Sequence, residues 1–178
     1  MNHIVLVHPA IPQNTGNIMR TCVATHTKLH LIKPLGFSLD DKHMKRAGLD
    51  YIKDLDMTIY ENWEEFEAKN PGIYHFYTRY SNRTYTEEDY TMPGEHYLLF
   101  GHEHDGIPHD ILRAHLNECV RIPMYADSRS LNLSNTVAIG IYECLRQQDF
   151  PDLVRHEVQK GEDFLVEESD TLRPRKTI

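Results

Sequence analysis

The sequence of 178 residues is poor in cysteine and lacks any long apolar run. Its three cysteines are widely spaced and odd in number, which argues against a disulfide framework or a zinc ribbon and favours a reducing compartment. No apolar stretch approaches the roughly 20 residues that a membrane-spanning helix needs. The first residues also lack the basic region and cleavage site of a signal peptide. We therefore expect a cytoplasmic protein without a membrane partner.

Positive charge is also scarce, because 19 Lys and Arg stand against 27 Asp and Glu, which gives a formal net charge of −8. Taken over the whole chain, this argues against a nucleic-acid binder, since phosphate contacts require Lys and Arg. The charge is uneven, however. Residues 1–54 hold seven basic side chains against four acidic ones, whereas residues 55–118 hold four against thirteen. A basic face in the first third of the chain is therefore compatible with the acidic total, although charge alone favours ordinary surface charge as the explanation.

Short apolar runs alternate with amphipathic segments along the chain. The apolar runs predict buried strands at residues 3–8, 29–33, 57–60, 73–78, 96–100 and 119–124. The amphipathic segments predict helices at residues 11–27, 40–47, 62–69, 108–116 and 132–147. Asn14 or Thr15 is expected to cap the first helix, and Asn132 or Ser134 the last. This alternation predicts an α/β domain with a mostly parallel sheet flanked by helices.

The apolar periodicity weakens after Pro151. We therefore expect one domain over residues 1–152 and a C-terminal tail over residues 153–178.

Three loops rich in polar residues each follow a predicted strand: loop one (residues 9–20), loop two (residues 101–108) and loop three (residues 122–135). Loop one enters a helix, whose free N-terminal N–H groups suit an anion. Gly101 and Gly106 in loop two allow the backbone to turn sharply or to approach a ligand. Open α/β sheets bind ligands at the carboxyl ends of their strands, so a site is predicted there. Simple helix capping is the alternative for loops one and three.

Loop two also invites a metal interpretation, because His102 and His104 flank Glu103. The helical zinc motif requires histidines at positions i and i+4, whereas these lie at i and i+2. We expect no metal, and a metal-dependent hydrolase stands as an alternative.

The three loops together resemble a known family. The segments PQNTGNIMRTC (12–22), LLFGHEHDGIP (98–108) and RIPMYADSRSLNLSNTVAIGIYECLRQ (121–147) are similar to the signature motifs of the SPOUT superfamily of S-adenosylmethionine-dependent RNA methyltransferases. The nearest group within it is the small tRNA wobble-position 2′-O-methyltransferases. The resemblance implies a C-terminal deep trefoil knot that binds S-adenosyl-L-methionine, a homodimer and a tRNA substrate. The implied reaction is methylation of the ribose 2′-OH of nucleotide 34, a cytidine or modified uridine, in leucine tRNAs.

The resemblance also implies roles for particular residues. It implies catalytic roles for Arg20, Asn14, Ser130 and Asn132. It implies a cofactor pocket formed by Tyr77, Thr78, Gly101, Glu103, Gly106, Ile122, Met124, Ser130, Leu131 and Asn135. For the RNA substrate the expected contacts are Arg20, Arg129, Lys42, Arg46 and Tyr142.

Loop two departs from the pattern of close relatives, which commonly reads GPETRGLP where this chain has GHEHDGIP. Asp105 therefore stands at the usual arginine position, and a phosphate contact is lost there. His102 or His104 is expected to replace that contact when protonated, so that tRNA affinity rises from pH 8 to pH 6. The alternatives are methylation of another tRNA or rRNA site, and a knotted RNA-binding module without catalysis.

Overall fold

The computed structural model describes residues 1–38, 54–161 and 165. The helix predicted at residues 40–47 lies outside the described residues, and so do the two expected RNA contacts Lys42 and Arg46.

Six parallel strands form one sheet in the order β3-β2-β1-β5-β4-β6. The strands are β1 (Asn2–Val7), β2 (Lys28–Ile32), β3 (Met57–Tyr60), β4 (Ile73–Tyr77), β5 (His96–Phe100) and β6 (Cys119–Val120). All six residues of β1 are buried, as are all five of β5, which fits their central positions. Strands covered on both faces are continuously apolar rather than alternating, so these strands could be predicted from short apolar runs in the sequence. The predicted parallel α/β architecture is confirmed.

Four helices flank the sheet: α1 (Pro12–Ala24), α2 (Trp63–Lys69), α3 (His109–Ala114) and α4 (Leu133–Gln147). The side chain of Asn62 caps α2 by accepting the Glu65 N–H at 2.9 Å. Asn132 caps α4 by accepting the N–H groups of Ser134 and Asn135, which confirms one of the two caps predicted for that helix. Single 3₁₀ turns at Tyr85–Glu87 and Leu116–Glu118 complete the regular structure of the described residues.

The core lies on both faces of the sheet because successive side chains of a strand point to opposite sides. On one face, Ile4 and Leu6 of β1 pack with apolar residues of α1 and α4. On the other, Val5 and Val7 pack with apolar residues of α2 and α3. All four of these β1 side chains are completely buried, and each such burial stabilises the fold by roughly 1.5–3 kcal/mol.

Among the predicted elements that run past their observed ends, two end early for an identifiable reason. The strand predicted at 119–124 ends at Val120, after which Arg121 forms only an isolated bridge with Thr84. Pro123 has no N–H with which to extend a ladder. The helix predicted at 11–27 ends at Ala24, because Thr25 leaves the helical conformation and His26 adopts a positive φ of 52°.

The chain beyond α4 stays attached to the domain over a few residues. Phe150 and Leu153 pack against the core, with Leu153 donating its N–H to the Phe150 carbonyl at 3.2 Å. Within residues 1–38 and 54–161, no helix is long and apolar enough to cross a membrane.

Candidate active site

Four chain segments meet at the carboxyl edge of the sheet. Loop one follows β1, loop two follows β5, residues 78–83 follow β4, and loop three follows β6. Because β1, β5, β4 and β6 are consecutive in the sheet, their ends lie side by side. The crossover connections leave the sheet in opposite directions on either side of β1 and β5, which is where open α/β sheets hold their ligands. The three loops predicted to form a site therefore share one edge.

A pocket opens at this edge between loop two, loop three and the end of β4. Its walls combine apolar and polar groups, which is typical of a site for a small organic ligand. The apolar lining consists of Phe100, Ile107, Ile122, Met124, Leu131 and Leu133. The remaining lining includes Thr78, Ser130, Thr136 and residues 101–106 of loop two.

Two glycines shape loop two. A Cβ atom on Gly101 would lie 2.0 Å from the carbonyl carbon of Gly106, so any side chain there would overlap backbone. Gly106 has a φ of 75°, in the left-handed region that favours glycine. His102 and Gly106 exchange both of their backbone hydrogen bonds, at 3.1 and 2.9 Å. Loop two is thus a closed turn that presents backbone groups to the pocket.

Glu103 caps helix α1 from a distant part of the chain. Its carboxylate accepts the N–H groups of Ala10 and Ile11 at 2.9 and 3.0 Å, and the side-chain amide of Asn14 at 3.1 Å. The predicted capping of α1 by Asn14 or Thr15 is wrong. The helix starts at Pro12, after an N-cap residue, Ile11, whose side chain cannot accept a hydrogen bond. A carboxylate suits this place because the positive end of the helix dipole favours negative charge.

Asn14 extends this contact to loop three. Its side-chain oxygen accepts the amide of Asn132 at 2.9 Å, while the oxygen of Asn132 accepts the Ser134 N–H and hydroxyl at 2.9 and 2.6 Å. A single chain of polar contacts, Glu103–Asn14–Asn132, therefore connects loops two, one and three. Residues separated by 89 and 118 positions in sequence are brought together in this way.

Tyr77 contributes to the pocket wall, but its hydroxyl belongs to the core. The ring stacks on Phe100 with centroids 4.6 Å apart, and the hydroxyl lies 2.8 Å from that of Tyr90. Burial, reinforced by Tyr90, raises the pKa of Tyr77 well above its usual value, so the phenol stays protonated. Gly140 of α4 packs so closely on this ring that a Cβ there would lie 2.9 Å from the Tyr77 Cζ.

Several sequence-predicted residues lie outside the pocket lining. Arg20 is on the exposed side of α1, six residues and therefore about 9 Å along the helix from Asn14. Asn135 and Tyr142 are exposed on α4, and Arg129 is exposed on loop three. By contrast, the lining does include the predicted residues Tyr77, Thr78, Gly101, Glu103, Gly106, Ile122, Met124, Ser130 and Leu131.

Beyond the predicted Thr78, the sequence analysis did not name the pocket residues that follow β4. Arg79 and Tyr80 line the mouth of the pocket, and Thr136 of α4 joins its wall. The rule that directed attention to strand ends applies equally to β4, and the polar run TRYSNR at residues 78–83 is the signal that could have found Arg79 and Tyr80.

Of the two histidines in loop two, His102 is hydrogen-bonded within the loop and His104 is exposed. The Nδ1 atom of His102 accepts the backbone N–H groups of His104 and Asp105 at 3.1 and 3.3 Å. His104 is exposed at the tip. Across the described ranges, no group of three or more His, Cys, Asp or Glu residues is arranged to hold a metal ion.

The comparisons with known proteins cover most of this chain. The model of the SpoU rRNA Methylase family matches residues 1–142. A Bacillus subtilis (strain 168) protein is 50% identical over 153 residues, covering 85% of this chain and 96% of its own. A Burkholderia ambifaria protein named tRNA (cytidine(34)-2′-O)-methyltransferase is 46% identical over 155 residues, covering 84% of this chain and 97% of its own.

Solved structures have the same fold. A Bacillus anthracis structure is 49% identical and has a TM-score of 0.83 over 89% of this chain and 100% of its own. A structure described as giving insights into the 2′-OH methylation of C/U34 on tRNA is 37% identical, with a TM-score of 0.78 over 84% of this chain and 97% of its own. The family match over most of the sequence, with relatives near half identity, leads to one conclusion: the chain belongs to the SpoU rRNA methylase family.

Proposed function

We propose that this chain is an S-adenosyl-L-methionine-dependent methyltransferase that modifies the ribose 2′-OH of nucleotide 34 in tRNA, with leucine tRNAs as the substrate. The observation that carries the proposal is the joining of loops one, two and three around one pocket, in a chain 46% identical to a relative named for this reaction. The proposed tRNA substrate supports a cytoplasmic location, which belongs to the same proposal.

The pocket has the chemistry that this cofactor requires. A purine ring needs apolar surfaces on its faces and backbone donors and acceptors at its edge. Ile122 and Leu131 supply apolar surface, and the closed turn from Gly101 to Gly106 presents backbone groups. Thr78, Met124 and Ser130 complete the contacts we assign to the cofactor, while Glu103 acts through loop one. When bound, the cofactor supplies a methyl group on a sulfonium.

The attacking ribose hydroxyl loses its proton during methyl transfer and needs a hydrogen-bonding partner that holds it in line. A guanidinium stays protonated and does not act as a base. We therefore assign to Arg20 the binding of the adjacent phosphate and the orientation of the 2′-oxygen. Asn14 and Asn132 fix the start of the helix that carries Arg20. Ser130 lies on the pocket wall, and Arg129 is exposed beside it for a phosphate contact.

A second copy of the chain is the proposed partner on the exposed side of α1 and α4. Ile139 and Tyr142 of α4 are 36% and 48% exposed there. Two large apolar side chains at helical spacing favour burial in a symmetric contact. Sedimentation or light scattering that gave only a monomer would contradict this assignment.

We also propose that the end of the domain is threaded as a trefoil knot. The segment after β4 is held on both sides by later chain: Arg121 exchanges backbone hydrogen bonds with Arg83 and Tyr85, and Gln147 bonds the Tyr90 N–H and the Glu88 carbonyl. An experimental backbone trace that pulls taut without a knot would contradict it. Residues 153–178 are the proposed tail of a domain spanning residues 1–152.

The experiment that tests the function is mapping of 2′-O-methylation in total tRNA from cells with and without the gene. Loss of the modification at nucleotide 34 of leucine tRNAs is the expected result. A methylated nucleotide lost elsewhere in tRNA or in rRNA would replace the proposed target, and an unchanged profile would refute the activity.

The purified enzyme tests the role of Arg20. We expect Arg20→Ala to abolish methyl transfer to tRNA while leaving cofactor affinity, measured by calorimetry, nearly unchanged. Arg113→Ala, an exposed arginine in the last turn of α3, is the matched control and keeps full turnover. Wild-type turnover in Arg20→Ala would remove Arg20 from the mechanism.

A further inference from the structure

An exposed tyrosine stands at the mouth of the pocket. Tyr80 is 61% exposed, although it lines the same opening as loops two and three. Two hydrogen bonds connect its backbone to the sheet. The Tyr80 N–H donates to the Thr78 hydroxyl at 3.3 Å, and the Thr78 N–H donates to the Val120 carbonyl of β6 at 2.9 Å. The His109 ring meets it edge-on, with centroids 5.2 Å apart. The Tyr80 ring is thus exposed to solvent beside the pocket.

One arginine lies next to this ring, and a second contacts the backbone of the first. The guanidinium carbon of Arg79 is 5.8 Å from the centre of the Tyr80 ring, and the Arg121 guanidinium donates to the Arg79 carbonyl at 3.0 Å. In the part of the chain that the structure describes, neither forms an ion pair with a carboxylate. Arg83, the third arginine here, is already paired with Glu88 at 2.6 Å. Of the two acidic residues that line the pocket, Glu103 is bonded to loop one and Asp105 faces His102 at 3.4 Å.

We propose that Tyr80, Arg79 and Arg121 form a binding site for the nucleotide adjoining the target nucleotide of the RNA substrate. This inference rests on the proposed function, since it requires RNA at the pocket. Bases of single-stranded RNA stack on exposed aromatic rings, and arginines bind the phosphates between them. Of the two arginines, Arg79 lies in the acidic segment of residues 55–118, and Arg121 directly follows β6.

The same side chains could instead serve the cofactor, whose amino-acid end carries a carboxylate. The exposure of Tyr80 favours RNA, because a ring that packed on a buried cofactor would be covered by the pocket walls, as Tyr77 and Phe100 are. The two assignments predict opposite results when RNA and cofactor affinities are measured separately.

The test uses the full chain and a tRNA anticodon stem–loop, with RNA affinity measured by fluorescence anisotropy and S-adenosylmethionine affinity by calorimetry. Since stacking on one ring contributes about 1–3 kcal/mol, Tyr80→Ala should weaken RNA binding by about 5- to 150-fold. Tyr80→Trp should bind RNA within about twofold of wild type, because indole stacks at least as well. Arg79→Gln should weaken RNA binding and reduce its dependence on salt. Cofactor affinity is expected to be unchanged in all three variants.

Two control variants lie on other surfaces. Met92→Ala removes an exposed apolar side chain that is 52% exposed at the opposite edge of the sheet, and Arg113→Gln removes an exposed arginine from α3. Both should bind RNA as the wild type does. Thermal unfolding confirms that each variant is folded.

Unchanged RNA affinity in Tyr80→Ala would overturn the inference. Weakened cofactor binding with normal RNA binding would assign the site to the cofactor instead. The proposed function fails differently: the wild-type protein would then methylate no tRNA, whatever the Tyr80 variants bind.

Discussion

Replacing Glu103 by glutamine tests how the loops of the active site are held together. The carboxylate accepts three hydrogen bonds: Oε1 accepts those from Ile11 and Asn14, and Oε2 the one from Ala10. Glutamine has one oxygen, so at least one N–H at the start of α1 loses its acceptor and faces an amide NH₂. A hydrogen bond to a charged group contributes about 1.5–3 kcal/mol. Because Glu103 is half-buried, we expect a loss of about 2 kcal/mol in the free energy of unfolding.

Urea unfolding monitored by circular dichroism measures this loss. The corresponding fall in melting temperature is about 4–8 °C, at about 2–4 °C per kcal/mol for a domain of this size. Glu64→Gln is the matched control, because Glu64 is an exposed glutamate in the first turn of α2 and has no hydrogen bond among the described residues. It loses only the helix-dipole contribution of about 0.3–1 kcal/mol. If Glu103→Gln were no more destabilising than Glu64→Gln, the role of Glu103 as the cap of α1 would be refuted.

Three further predictions concern the site and the core. Gly101→Ala should prevent cofactor binding in calorimetry, because its Cβ would lie 2.0 Å from the Gly106 carbonyl carbon and loop two would have to open. Burial, followed by neighbouring His3, lowers the pKa of His30 to about 3. The unfolded chain therefore binds a proton below pH 6.5 that the folded protein does not bind until about pH 3, so stability falls as pH falls through this range. From pH 7 to pH 5 His30 alone contributes about 2 kcal/mol to the loss measured by urea unfolding, and His30→Gln should reduce that slope. His104→Gln should remove any gain in tRNA affinity from pH 8 to pH 6. That gain is at most about fivefold, the contribution of one exposed ion pair. His102→Gln should retain the gain, because the His102 Nδ1 atom is already bonded within loop two. A profile that is already flat in the wild type would exclude both histidines.

The secondary structure was largely predictable, because it depends on local patterns. The predicted strands at 57–60 and 96–100 are confirmed at their full length. The second is buried throughout, as expected for a continuous apolar run in a parallel sheet. The Asn132 cap is confirmed because an N-cap residue and the N–H groups that it accepts are only two or three positions apart. The predictions that were wrong are the Asn14 or Thr15 cap, the helix end at 27 and the strand end at 124. At the first helix, Glu103 of loop two takes the place of a local cap. The strand ends before Pro123, which has no N–H with which to extend a ladder.

The site was predictable in its location and only partly in its contacts. Loops with unusual polar residues after strands indicated the correct edge of the sheet, because parallel strands all end at the same edge. Which residues of these loops bind another loop, and which lie at the pocket mouth, was not predictable. Glu103 was expected at the cofactor; it lines the pocket, and its carboxylate also accepts the N–H groups of Ala10 and Ile11 in loop one. Tyr80, in a segment without any motif, lies at the pocket mouth.

The sequence by itself therefore determined the order of strands and helices, the parallel sheet, the family resemblance and the edge at which the pocket forms. Each of these depends on apolar periodicity or on motifs within about 25 consecutive residues. Only the tertiary structure decided which polar groups satisfy one another. The contacts of Glu103 with Ala10 and of Asn14 with Asn132 span 93 and 118 positions. Buried and half-buried donors take whichever acceptor the packed chain brings within 3 Å, and the spacing along a sequence does not encode that choice.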